Sequence, residues 1–98
     1  MGFLNKLFGI PDKRMLKEKL NEGAILLDVR TKEEFAADHV KGSINIPMSQ
    51  ITNELKKLSK EKSIIAVCAS GARSGQVVKY LNSKGFQSYN GGRWRSFL

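Results

Sequence analysis

Apolar residues fall along this chain in short blocks of two spacings, and the alternation of the two predicts its architecture. Met15, Leu16 and Leu20 recur at helical spacing after Pro11 and Asp12, which read as a helix start, and Asn21 and Gly23 close the segment. "AILLDV", Ala24 to Val29, is a continuous apolar run too short for a helix and bounded by Gly23 and Arg30, which predicts a strand covered on both faces. Thr31 caps a short helix through Phe35 and Ala37, and Glu34, three residues on, completes a capping box. "SINIP" predicts a brief strand with Ile44 and Ile46 on one side, stopped by Pro47, after which Ser49 caps a helix carrying Ile51, Leu55 and Leu58. "SIIAV", Ser63 to Val67, is a third apolar strand. A helix with Val77, Val78 and Leu81 inward follows, with Gly85 as its stop, and Phe86 to Tyr89 form a last strand ending at Asn90, Gly91 and Gly92.

Strands and helices in this order imply an α/β fold: a small parallel sheet of four to five strands with helices on both faces. In such sheets ligands bind at the carboxyl ends of strands, near the N-termini of the helices that follow. With 98 residues the chain supports one core and one site. Residues 1–10 form an amphipathic or flexible segment ahead of a single domain, 11–98. Phe3, Leu4, Leu7 and Phe8 would share a helical face there, which fits a lid over the domain, a frayed tail or a weak membrane-surface anchor. The segment is too short, and too interrupted by Lys6, for a signal-peptide core or a membrane span, so a cytoplasmic protein without membrane contact is expected.

Seventeen Lys and Arg against nine Asp and Glu give a formal charge of +8. The basic residues are dispersed, with no aromatic-basic stripe, zinc-finger or RNP-like motif, so they read as solvated surface and as attraction for a small anion, with no nucleic-acid partner. No metal-ligand spacing is present and the one histidine, His39, has no cysteine-protease context.

The single cysteine changes the picture. Cys68 stands where the third apolar strand ends and a helix begins, in the loop "CASGARS". Loop N–H groups and the positive end of the helix starting near Ala72 converge there and favour thiolate over thiol. Gly71 permits a left-handed or tightly curled backbone, Arg73 supplies a fixed cation for an oxyanion, and Ser70 and Ser74 add hydroxyl donors. The bland alternative is a space-filling cysteine in a strand-to-helix turn. A filler requires neither a donor-rich loop nor an arginine; a nucleophile attacking an anion requires both.

Cys68-Ala69-Ser70-Gly71-Ala72-Arg73-Ser74 resembles the active-site loop of the rhodanese superfamily, Cys-x-x-Gly-x-Arg-Ser. "LLDVRTKEEFAADHVKGSINIP", Leu26 to Pro47, resembles the N-terminal signature of that family, with Asp38 where glycine is often found. "NGGRW", Asn90 to Trp94, resembles its C-terminal motif, with Trp94 sooner after the glycines than is usual. The resemblance implies a single rhodanese-like domain acting as a thiosulfate sulfurtransferase. By the same resemblance, the four residues between Cys68 and Arg73 imply a loop sized for a sulfur atom, one residue shorter than in the related phosphatases and arsenate reductases, which leaves those activities a distant third.

On this resemblance Cys68 thiolate takes the sulfane sulfur of thiosulfate, or of a persulfide donor, and the Cys68 persulfide passes it to cyanide or a thiol. The loop from Ala69 to Ser74 cradles the sulfur, and no metal or organic cofactor takes part. Asp28, Arg30 and Trp94 are supporting residues: the first two read as an ion pair that holds a turn beside the site, and Trp94 with Arg93 as lining of its entrance. A second reading is a persulfide carrier or sensing module served by a protein sulfur donor or acceptor.

Overall fold

The computed structural model describes residues 6–98. Phe3 and Leu4 of the predicted amphipathic face lie outside the described residues. Helix α1 (Lys13–Asn21) starts where Asp12 accepts the Arg14 N–H at 2.8 Å, and it leads into β1 (Ile25–Asp28). Thr31 caps α2 (Lys32–Ala37) with the predicted capping box: its hydroxyl accepts from Glu34 N–H and Glu34 accepts from Thr31 N–H. Strand β2 is Ile44–Asn45, β3 is Ile64–Cys68, α3 is Ala72–Ser83 and β4 is Ser88–Arg93.

All strand pairs are parallel, in the order β2-β1-β3-β4. Adjacent β1 and β3 therefore lead away in opposite directions, one to β2 and the other to β4. The crevice at their carboxyl ends is the switch point at which open α/β sheets hold ligands. Alternation along β3 splits the core. Ile64, Ala66 and Cys68 join Leu27, Val77 and Leu81 beneath α3, whereas Ile65 and Val67 join Leu16 of α1 and Trp94 on the other face. Among the described residues no helix is long and apolar enough to cross a membrane.

Three local expectations are corrected. The segment after Pro47 forms two 3₁₀ turns, Met48–Asn53 and Leu55–Lys57, in place of one α-helix, and Ser49 caps neither. Ile51, Thr52 and Asn53 are poor helix formers, and the segment is anchored by buried Ile51 within it and by buried Ile46 and Leu58 on either side. Ile44 does not share the burial of Ile46: it is 39% exposed on edge strand β2, while Ile46 is buried beyond the strand's end. Finally, Asn90, Gly91 and Gly92 do not end β4 but lie within it. A register shift between Ala66 and Val67 accommodates them, and a Cβ at Gly91 would stand 2.8 Å from Ile65 and 2.9 Å from Val67. The glycine is there for close approach of two strands.

Candidate active site

Cys68 is the last residue of β3, fully buried, with its backbone opposite Arg93 of β4. Its Sγ accepts hydrogen bonds from the N–H of Gly71 at 3.0 Å and of Ser74 at 3.4 Å, and lies 3.4 Å from the Ser74 hydroxyl. Ser74 is the third residue of α3, and its N–H is the one that a Ser or Thr cap would take. The N-cap of α3, Gly71, has no side chain to give, so the cysteine sulfur caps the helix. Burial pushes the thiol up, but the Ser74 hydroxyl and the N–H groups of Ser74, Gly71 and Ser70 outweigh it and hold Cys68 below the usual thiol range.

Gly71 makes this geometry possible. Its φ of +108° aims its N–H at the sulfur, and a Cβ there would lie 3.2 Å from Ile10 and 3.3 Å from the Gly92 backbone. Gly71→Ala is expected to cost about 1–2 kcal/mol in backbone strain. Because it swings away the shortest donor to Sγ, it should also raise the pH at which Cys68 is alkylated. A thermal melt and a pH series of iodoacetamide rates check both.

Arg73 is not a free cation. Its guanidinium grips Glu34 of α2 at 2.8 and 3.2 Å, which ties the cysteine loop to the helix after β1. The Arg73 contact, with the Thr31 N–H, pulls the Glu34 carboxyl from its ordinary 4.5 down to about 2. A depressed carboxylate gives stability that is complete above its unfolded pKa and disappears as pH falls through the folded one. The melting temperature should therefore drop more steeply between pH 4.5 and about 2 in the wild type than in Glu34→Gln, the two curves converging below that window.

Asp28 and Arg30 form the expected ion pair, buried and bidentate: the Arg30 Nε lies 3.0 Å from both carboxylate oxygens and one terminal nitrogen 2.8 Å from the second. Arg30 also donates to the Asp38 carbonyl at 2.8 Å, and its guanidinium stacks 4.2 Å from the Trp94 ring centroid. Trp94 is buried in the core cluster opposite the one that holds Cys68, so it supports Arg30 and does not line an entrance. Arg93 does line a cavity of about 320 Å³ beside the loop, with Lys13, Ser70, Ile10, Pro11 and Phe97. Ala69, Ser70 and Ala72 are exposed. His39 is exposed too, stacked on Phe35 and bonded to its carbonyl at 2.8 Å.

Asn90, in the middle of β4, is the site residue that pattern reading missed. It is buried, and its amide oxygen accepts the Ser74 hydroxyl at 2.7 Å and the Gly92 N–H at 2.9 Å. Its amide nitrogen donates to the carbonyls of Gly71 at 2.9 Å and Phe8 at 2.8 Å. The signal was Gly75, a glycine inside a helix that would otherwise cost about 1 kcal/mol against alanine. A Cβ at Gly75 would stand 3.1 Å from the Asn90 amide nitrogen.

The chain that carries this site is similar to known proteins in sequence and in fold. The profile of the family described as "Rhodanese-like domain" matches residues 12–93. YtwF of Bacillus subtilis (strain 168) is 39% identical over 77 residues, covering 76% of this chain and 75% of its own. Thiosulfate sulfurtransferase GlpE of Pseudomonas putida is 28% identical over 92 residues, covering 89% of this chain and 84% of its own. The crystal structure of a rhodanese-like domain protein from Staphylococcus aureus superposes with a TM-score of 0.75 at 34% identity, covering 87% of this chain and 85% of that one. The chain belongs to the rhodanese-like domain family, whose activity is sulfur transfer.

Proposed function

We propose that the protein transfers sulfane sulfur from thiosulfate, or from a low-molecular-weight persulfide, to cyanide or a thiol through a persulfide on Cys68. The observation that carries this reading is the convergence of the Gly71 and Ser74 N–H groups on the Cys68 sulfur at the N-terminus of α3. The thiolate attacks the outer sulfur of thiosulfate; an S–S bond forms to Cys68, the S–S bond of thiosulfate breaks, and sulfite leaves with the electron pair. The persulfide remains anionic, so the donors that favour the thiolate favour it as well. Cyanide then takes the outer sulfur as thiocyanate and returns the thiolate.

With Arg73 matched by Glu34, anion recognition in this reading falls to the loop amides, the helix end and the exposed Arg93. The test is the intact mass of the reduced protein after incubation with thiosulfate. A gain of one sulfur atom, removed by cyanide with release of thiocyanate, is expected. An unchanged mass on a folded protein with an alkylatable thiol would reject thiosulfate as donor.

A further inference from the structure

We propose that Asn90 is a positioning residue that keeps the Ser74 hydroxyl proton off the Cys68 sulfur while the thiol is protonated and yields it to the sulfur when the thiol ionises. The proposal rests on Cys68 being the nucleophile. It does not depend on the identity of the sulfur donor.

The orientation of one amide decides where the Ser74 proton lies. The Asn90 side chain uses all its hydrogen-bonding capacity: two acceptor contacts on the oxygen, from Ser74 and Gly92, and two donor contacts from the nitrogen, to Gly71 and Phe8. Turning the amide over would set its N–H₂ against the Gly92 N–H and its oxygen against two carbonyls. The oxygen therefore faces Ser74, and of two oxygens 2.7 Å apart only the Ser74 hydroxyl owns a proton to share. A hydroxyl has one proton, so Ser74 meets Cys68 with lone pairs. That suits the thiol, whose S–H donates across the 3.4 Å gap to Ser74. It does not suit a thiolate or a persulfide.

When the thiol proton departs to water, a rotation of the Ser74 hydroxyl about its C–O bond exchanges the Asn90 oxygen for the sulfur. The exchange leaves no group orphaned, because the Asn90 oxygen keeps the Gly92 N–H. The thiolate then holds a third donor besides the Gly71 and Ser74 N–H groups. Asn90 thus sets how much of the hydroxyl is available to the sulfur, acting through Ser74 without touching the reacting atoms. The charged groups around the thiol are Arg73 of α3 matched by Glu34 of α2, Asp28 of β1 matched by Arg30, and exposed Arg93 of β4. None is altered in the test that follows.

The experiment is a double-mutant cycle with Asn90→Ala and Ser74→Ala in the full chain, reading the pH midpoint of iodoacetamide alkylation. Cys68 is the only cysteine, so the label reports one site. Asn90→Ala alone should lower the midpoint by about half to one pH unit, a roughly three- to tenfold larger thiolate fraction below it. In the Ser74→Ala background the same change should leave the midpoint unmoved. Loosening of Gly71 through its lost carbonyl contact would act in both backgrounds and is subtracted by the cycle. A midpoint that rises or stays put in Asn90→Ala, or that moves equally in both backgrounds, overturns the proposal.

If Asn90→Ala does not fold, the wild type decides. The Asn90 side-chain carbonyl carbon and Gly92 amide NMR signals should titrate with the Cys68 midpoint, and be flat in Ser74→Ala. Signals that do not follow Cys68 in the wild type overturn it equally. Loss of thiosulfate loading with an intact cycle would count against the donor alone.

Discussion

Cys68→Ser should abolish sulfur loading and thiocyanate formation while leaving the domain folded. The two losses that a substitution here could cause, of chemistry and of structure, separate cleanly at this position. The serine oxygen is nearly isosteric and can accept the same Gly71 and Ser74 N–H groups, so the helix cap survives and stability should change by about 1 kcal/mol or less. An alkoxide, however, is not accessible at neutral pH in a site tuned for a thiol, and an oxygen nucleophile forms no sulfur–sulfur bond that a second acceptor can reverse. Turnover should fall below detection with a melting temperature within a few degrees of wild type. Residual cyanide-dependent thiocyanate release at a sizeable fraction of the wild-type rate would place the sulfur elsewhere and reject Cys68 as its carrier.

The cysteine loop was legible because strand end, glycine, arginine and helix start are consecutive in sequence, and each has a local physical reason to be there. The same holds for the Thr31–Glu34 capping box, three residues apart. What escaped is what the fold brings together from afar. Glu34 and Arg73 are 39 positions apart, and nothing local to Arg73 shows that its charge is already matched. Asn-Gly-Gly is turn chemistry in isolation, so Asn90 reads from sequence as the end of a strand. In the sheet, Gly91 spares Ile65 and Val67 a clash and Gly92 spares Ile10 one, and the asparagine meets a hydroxyl and two carbonyls from other segments. The residues between Pro47 and Leu58 failed for the opposite reason: apolar spacing was right, and local propensity was too weak to make an α-helix of it.

Asp28→Asn should destabilise the domain by about 3–5 kcal/mol, the range for breaking a buried ion pair by removing one charge. The substitution keeps the shape of the side chain, removes its charge and turns one acceptor oxygen into a donor. Arg30 is 4% exposed and has no aqueous alternative: its guanidinium lies between the Asp28 carboxylate, the Asp38 carbonyl and the Trp94 ring. With an amide in place of the carboxylate, the cation stays buried without a counter-charge, and the new N–H₂ competes with it as a donor. For a domain of this length each kcal/mol shifts the melting temperature by roughly 4–8 °C, so a fall of about 12 °C or more is expected. The double variant Asp28→Asn/Arg30→Met separates charge from shape. Removing the stranded cation should recover much of the loss, because no unpaired charge is then buried and the amide oxygen at position 28 can still accept the backbone N–H of residue 30. A single variant that melts within about 3 °C of wild type, or a double variant less stable than the single, would mean that the pair holds the turn by its hydrogen bonds and packing and that its charge contributes little.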